Sequence, residues 1–295
     1  MKHNLKVTDV KKGFKNFLLG PISFQLEKGK VLALVGPNGA GKTTTLDCIS
    51  GILFPDSGKI EICGIETNPN KKDWKFEFGY VSSEPVFIKS MNGEEFLKFV
   101  SKYYSNWRWN FKLMADLIEK LEFNTNERID KLSTGNKTKL EIISAMSIES
   151  KLLLLDEPTN ALDPIIRDRF LDIVFDYMSN EENSVIWSTH IISEVSKIAD
   201  EFAFLHNGKI YEISSKTDLT ENWRRIIIKQ DLDVDDIPDA CDIQKIDNQF
   251  EIYTSNFQNT VEYLKNNNIE IINEYFMSIE TICLKNLEKY KREEY

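Results

Sequence analysis

The chain has 295 residues, enough for one large domain or two small ones, and its 41% hydrophobic and 28% charged residues suit a globular protein with a proper core. A net charge of −10 and a pI near 5.0 argue against nucleic acid as the main partner, because phosphate backbones select a basic face. No apolar run approaches the ~18 residues of a membrane span, the start MKHNLKVTDVKKGF has no signal-type apolar segment, and Cys48, Cys63, Cys241 and Cys283 stand singly, so a cytosolic chain with reduced thiols is expected.

Leu5 to Leu26 reads as short half-buried strands, closed by the turn Glu27-Lys28-Gly29-Lys30. Val31 to Val35 is an apolar run of strand length. Gly36 to Thr43 follows as GPNGAGKT, and the helical pattern TTTLDCISGIL begins at its last residue. Strand, glycine-rich turn and helix in that order form the context of a phosphate-binding loop. The loop Gly36-Pro37-Asn38-Gly39-Ala40-Gly41 can curl around an anion with the backbone N–H groups of every residue but Pro37, and the new helix aims its positive end at the same place. Lys42 would bridge the β- and γ-phosphates, Thr43 would hold Mg²⁺ through its hydroxyl, and Thr44 belongs to the same ATP cradle. Upstream, Phe14 or Phe17 could stack on an adenine, with Phe14 the preferred residue.

FPDSGKIEICG gives a turn and a strand, Glu66 to Asp73 a polar loop, and Phe78 to Val81 another strand. Beyond Glu84-Pro85 the character changes. Gly93 to Tyr104 and Phe111 to Leu121 carry helical spacing, joined by the aromatic link Tyr103-Tyr104-Ser105-Asn106-Trp107-Arg108-Trp109, as a helical insertion running to about Arg128. Ser133 stands where the next helix begins. Lys151 to Leu155 is apolar on both faces, as a central parallel strand should be, and delivers Asp156 and Glu157 to its carboxyl end, where α/β sheets hold ligands. Neighbours on a strand point to opposite faces, so Asp156 can hold Mg²⁺ while Glu157 polarises a water in line with the γ-phosphate.

A helix from Pro164 to Met178, a strand SVIWST ending at His190, a helix from Ile191 to Ala199 and a hairpin turning at Asn207-Gly208 complete the alternation, so a mostly parallel sheet is expected up to about residue 215. His190 closes a strand on the ligand edge and can reach the same γ-phosphate. From Thr220 to Tyr295 the chain reads as separate, with 9 basic and 16 acidic residues. It carries a strand at Arg225 to Lys229, an acidic loop at Asp231 to Asp242, a strand at Phe250 to Tyr253, a helix at Thr260 to Asn266, and a last strand and helix.

Five motifs in order make the chain resemble an ATP-binding cassette (ABC) ATPase subunit: GPNGAGKT as Walker A, LSTGN at Leu132 to Asn136 as the signature usually written LSGGQ, LLLLDEP as Walker B, NALD at Asn160 to Asp163 as the D-loop, and His190 as the switch histidine. The resemblance implies an α/β P-loop NTPase fold with a RecA-like core, an antiparallel β subdomain and a helical subdomain near 86–139. The cassette would occupy 1–217, and a small α+β domain 218–295. It implies two cassettes docked head to tail, as a homodimer or with a second ABC ATPase. Ser133 and the N–H of Gly135 would grip the ATP of the facing subunit, and Asp163 would lie at that site. It also implies a separately encoded transmembrane permease and a peripheral position at the inner face of the cell membrane.

Two departures stand out. Ser83 occupies the place of the family's metal-sensing Gln, so Ser83 or Glu84 would serve there, and Asn136 replaces the signature Gln. Within the family the likeness is to separately encoded exporters of drugs, bacteriocins, lantibiotics or amphipathic peptide toxins, and the size also fits staphylococcal-type exporters of phenol-soluble modulins. The alternative is a soluble regulatory ABC ATPase, or an ATP-binding module with weak or no hydrolysis.

Overall fold

The computed structural model describes residues 2–104, 108–233 and 236–293. Ser105, Asn106 and Trp107 of the aromatic link and two residues of the acidic loop lie outside them. Strands β1 (His3–Phe14), β2 (Phe17–Glu27), β4 (Ser57–Ile62) and β5 (Ile65–Glu66) form an antiparallel sheet in the order β2-β1-β4-β5. The central sheet has the order β10-β9-β3-β8-β7-β6, built from β3 (Val31–Val35), β6 (Phe78–Val81), β7 (Leu152–Asp156), β8 (Ser184–Thr189), β9 (Glu201–His206) and β10 (Lys209–Ser215). Its pairs are parallel from β6 to β9, and β10 alone runs antiparallel.

Side-chain alternation explains why the central strands are apolar throughout. Val31, Ala33 and Val35 join one core cluster, with Leu153, Leu155, Val185, Trp187 and Phe170. Leu32 and Leu34 join the other, with Leu152, Leu154, Ile186 and the inward residues of the first sheet. Each strand therefore has apolar layers on both faces. Helix α1 (Lys42–Ser50) packs on the second cluster, while α2 (Gly93–Tyr103), α3 (Phe111–Lys120), α4 (Thr134–Met146) and α5 (Pro164–Met178) pack on the first. Their starts are legible: Asn92 and Glu95 make a reciprocal capping box, and Asn110, Ser133 and Asp163 each accept a backbone N–H from the first turn.

Helix α6 (Ile192–Val195) is shorter than the expected Ile191–Ala199. The chain must leave the helix because Asp200 docks on β3, donating its N–H to Val31 O at 3.0 Å and accepting the Val31 N–H on its carboxylate at 2.9 Å. Helix α7 (Lys216–Asn222), capped by Ser215, was not expected and spans the 217/218 division. Strand β12 (Ala240–Ile246) starts inside the expected acidic loop, where the Asp242 charge is met by Lys285 at 2.7 Å.

The tail sheet runs β12-β13-β11-β14, with β11 (Arg224–Ile228), β13 (Gln249–Thr254) and β14 (Ile271–Phe276), all antiparallel. Ile226, Ile228, Phe250 and Ile252 pack with Leu264 of helix α8 (Phe257–Asn266) into a small core of their own. Helix α9 (Ile279–Glu293) does otherwise. Its Ile279, Ile282, Cys283 and Tyr290 belong to the main core beside Phe202 and Phe204. Tyr290 stacks on Tyr211 at 4.6 Å and donates to Glu212 at 2.7 Å, while Asn286 donates to the same carboxylate at 3.1 Å. All four cysteines are free, and among the described residues no helix is long and apolar enough to cross a membrane.

Because α9 closes the main core, Ile282→Ala is expected to destabilise the cassette as a whole, by about 2–4 kcal/mol. Thermal unfolding followed by tryptophan emission checks this, and an unmoved main transition with only the tail melting early would contradict it.

Candidate active site

Three strand ends and one helix start meet at the carboxyl edge of the central sheet. The loop Gly36–Gly41 leaves β3 and turns into α1. Two of its glycines are required by close packing: a Cβ on Gly36 would lie 2.2 Å from Leu205 O, and Gly41, at φ +110°, would bring one to 2.9 Å from the Phe17 ring. The turn between β9 and β10 braces the loop, with the Gly208 N–H donating to Ala40 O at 2.9 Å. Lys42, only 5% exposed, curls back on its own loop and donates to Gly36 O at 2.9 Å and Pro37 O at 3.2 Å. A cavity of about 410 Å³ opens here, lined by Phe17, Asn38, Gly39, Gly41, Lys42, Thr43, Thr44 and Glu157. Backbone amides at a helix start and a buried ammonium make it a site for a polyanion.

Asp156 is fully buried at the end of β7 and draws three hydroxyls. Thr43 Oγ1 and Ser83 Oγ each donate to Oδ2 at 2.7 Å, and Ser188 of β8 donates to Oδ1. This all-oxygen set fits a hard cation such as Mg²⁺. Among the described residues no cluster of three His, Cys, Asp or Glu could hold a metal ion. Ser83 reaches Asp156 directly, and Ser188 is a partner that the sequence reading did not name. Glu84 is exposed and its N–H donates to Ser82 Oγ at 3.2 Å.

Glu157 points the other way. Its carboxylate lies 3.5 Å from Lys42 Nζ and 3.0 Å from His190 Nδ1, and it accepts a hydrogen bond from the Asn160 amide. Its backbone sits at φ +49°, in the left-handed region, with its N–H held by Ser188 O at 3.0 Å. Behind it lies a buried network absent from the sequence reading. Glu194 of α6 pairs with Arg167 of α5 at 2.7 Å and accepts from the Thr159 hydroxyl, so the segment after Glu157 is tied to the helix that follows His190.

Ser133 and Thr134, at the head of α4, are exposed. None of Ser133 to Asn136 is among the residues lining the phosphate cavity. Gly135 lies against the D-loop, where a Cβ would be 2.6 Å from Ala161 O. Asp163 caps α5, and the Ile166 and Ile165 N–H groups hold its carboxyl below the usual range. Phe17 lines the cavity. The Phe14 ring, preferred from sequence, lies 6.3 Å from Phe17 and is 46% exposed. Further along the sheet edge a second cavity of about 190 Å³ is lined by Tyr80, Pro85, Phe87, Phe96, Tyr104 and Glu141. Burial pushes the Glu141 carboxyl up to about 8.

Comparison with known proteins identifies the family. The ABC transporter family pattern matches residues 19–160. The linearmycin resistance ATP-binding protein LnrL of Bacillus subtilis is 32% identical over 73% of this chain and 70% of its own length. The lantibiotic transport ATP-binding protein SrtF of Streptococcus pyogenes is 32% identical over 77% of this chain and 96% of its own. Among solved structures, an ATP-binding subunit of an ABC transporter superposes with a TM-score of 0.67 at 27% identity, covering 74% of this chain and 92% of that one. The phosphate loop, the acidic strand end and the histidine beyond the next strand thus stand on the fold that these relatives share, and the chain belongs to the ABC transporter family as an ATP-binding, ATPase-type cassette.

Proposed function

We propose that this chain binds ATP in the cavity at Gly36 to Thr44 and hydrolyses it as one of two cassettes driving a separate transmembrane permease at the cytoplasmic face of the membrane. The observation that carries the reading is the meeting of Lys42, Glu157 and His190 within 3.5 Å of one another along the chain of contacts. Lys42 holds the terminal phosphates. Glu157 orients a water in line with the γ-phosphate, and His190 shares that carboxylate and steadies the phosphoryl oxygens. Thr43, Asp156 and Ser83 would hold Mg²⁺, which supplies charge neutralisation of the phosphate oxygens when bound. Phe17, with Phe14 beside it, offers aromatic surface at the mouth of the site for a base.

The exposed head of α4 lies outside its own phosphate cavity, which supports a head-to-tail pair in which Ser133 and Gly135 complete the partner's site and Asp163 lies at the seam. The names of the relatives, linearmycin resistance and lantibiotic transport, favour export of an antimicrobial or amphipathic peptide-like compound. Residues 1–217 form the cassette in this reading, and 218–295 an accessory domain. One observation favours a second reading, an ATP-binding module of weak turnover: Ser83 is short, and its hydroxyl is already engaged with Asp156.

Glu157→Gln is expected to cut ATP turnover about a hundredfold or more, while ATP affinity is kept and an ATP-bound dimer accumulates on size exclusion. Equal, near-zero turnover of wild type and variant would favour the binding module, and a monomer with ATP would count against the symmetric pair. Lys42→Ala removes a charged donor to phosphate, so ATP affinity by equilibrium binding should fall roughly 10- to 100-fold. Unchanged affinity would contradict the role given to Lys42.

A further inference from the structure

Glu141 lies inside helix α4, about 12 Å along the axis from the Ser133 cap at a rise of ~1.5 Å per residue. The helix is pressed onto β6 farther on, where a Cβ on Gly79 would meet Ala145 O at 2.4 Å. One turn before Ala145, on the same face, Glu141 Oε1 accepts the backbone N–H of Ser82 at 2.9 Å. Ser82 is the first residue beyond β6, and Val81 pairs with Leu155, so the chain leaves the strand level with Asp156. The following residue, Ser83, turns its hydroxyl to Asp156 and donates to it at 2.7 Å. The other Glu141 oxygen is shut off from water and has no hydrogen-bond partner.

A carboxyl group is an expensive way to fill space between a helix and a strand, because burial without full hydrogen bonding is unfavourable. An aliphatic side chain would pack there without that cost. What Glu141 provides is one directed bond to the loop that carries Ser83. We infer that Glu141 is a positioning residue that anchors the Ser82–Ser83 loop to helix α4 and thereby holds the Ser83 hydroxyl on Asp156. This inference rests on the proposed role of Thr43, Asp156 and Ser83 as the metal-side pole of the ATP site. It joins the helix that begins at Ser133 to that pole through a single carboxyl group.

The test measures binding of a fluorescent N-methylanthraniloyl ATP analogue to the full chain, with and without Mg²⁺, alongside kcat and KM. Glu141→Leu removes the acceptor and keeps an apolar, helix-compatible side chain, and Glu141→Ala serves as a second variant of the same kind should Leu not fold. For either, the enhancement of analogue affinity by Mg²⁺ should fall about tenfold, the loss of one hydrogen bond, while metal-free affinity stays within twofold. Glu141→Gln keeps an oxygen acceptor and should retain the wild-type enhancement within twofold. Ser83→Ala should reproduce the Glu141→Leu loss, and the double variant should add nothing further.

The inference is overturned if Glu141→Leu and Glu141→Ala keep the wild-type response to Mg²⁺, if they weaken metal-free binding equally, if Gln fails as they do, or if the Ser83 and Glu141 effects add in full. Asp156→Asn separates the two levels. If it leaves the Mg²⁺ response intact, the metal-side pole itself is misassigned; if it abolishes the response while Glu141→Leu does not, only the anchoring role falls.

Discussion

A buried cation sets the terms for this site. An ammonium group taken out of water is tolerated only when oxygens surround it, and Lys42 finds two in the carbonyls of Gly36 and Pro37 and faces the Glu157 carboxylate. Those three residues come from the end of β3, the turn that follows it and the residue after β7, so the demand of one side chain draws two separate strand ends together. A triphosphate brings the same kind of charge in greater amount. In the proposed function its entry would replace the carboxylate as the partner of Lys42 and leave Glu157 to His190 and Asn160. In that reading the contacts between Lys42 and Glu157 keep the place of the substrate.

The framework behind that exchange is stiff because the central strands are covered on both faces. Each strand end is therefore fixed by two cores rather than one. Helix α9 extends this arrangement to the tail: it covers β9 and β10, the hairpin whose turn at Gly208 holds Ala40 of the phosphate loop. A tail that carries its own small sheet is in this way connected through Tyr290, Glu212 and the hairpin to the nucleotide site.

The sequence was most readable where one physical rule dominates. Apolar runs of five residues bounded by glycine or acid are strands whatever surrounds them, and β3 and β7 fell where their leucines and valines said. The glycine loop with its lysine, and the acidic pair beyond β7, were legible because phosphate chemistry leaves few alternatives. What escaped was decided by partners distant in the chain. Asp242 looked like part of an acidic loop because its partner, Lys285, lies far along the chain on α9. Helix α6 lost a turn to the docking of Asp200 on Val31. Ser188, Glu194 and Glu141 carry no motif, and only the packing of β7 against β8, of α5 against α6 and of α4 against β6 gives them their roles.

Glu157 holds a backbone conformation that costs an L-residue about 1–2 kcal/mol. Such a conformation persists only where the surroundings fix it more firmly than the strain can relax it. Here the Glu157 N–H is held by Ser188 O, and the Asn160 N–H returns to Glu157 O at 3.3 Å. Beyond these bonds the half-buried Arg167 and the buried Glu194 pair with each other and grip Thr159 from two helices. Removing the Arg167 charge would leave the Glu194 carboxylate buried without its counter-ion, so the pair holds α5 and α6 to the segment after Glu157. The strained backbone and its hydrogen-bonded support thus fix the ends of β7 and β8 to each other, and with them the place at which Glu157 meets both Lys42 and His190.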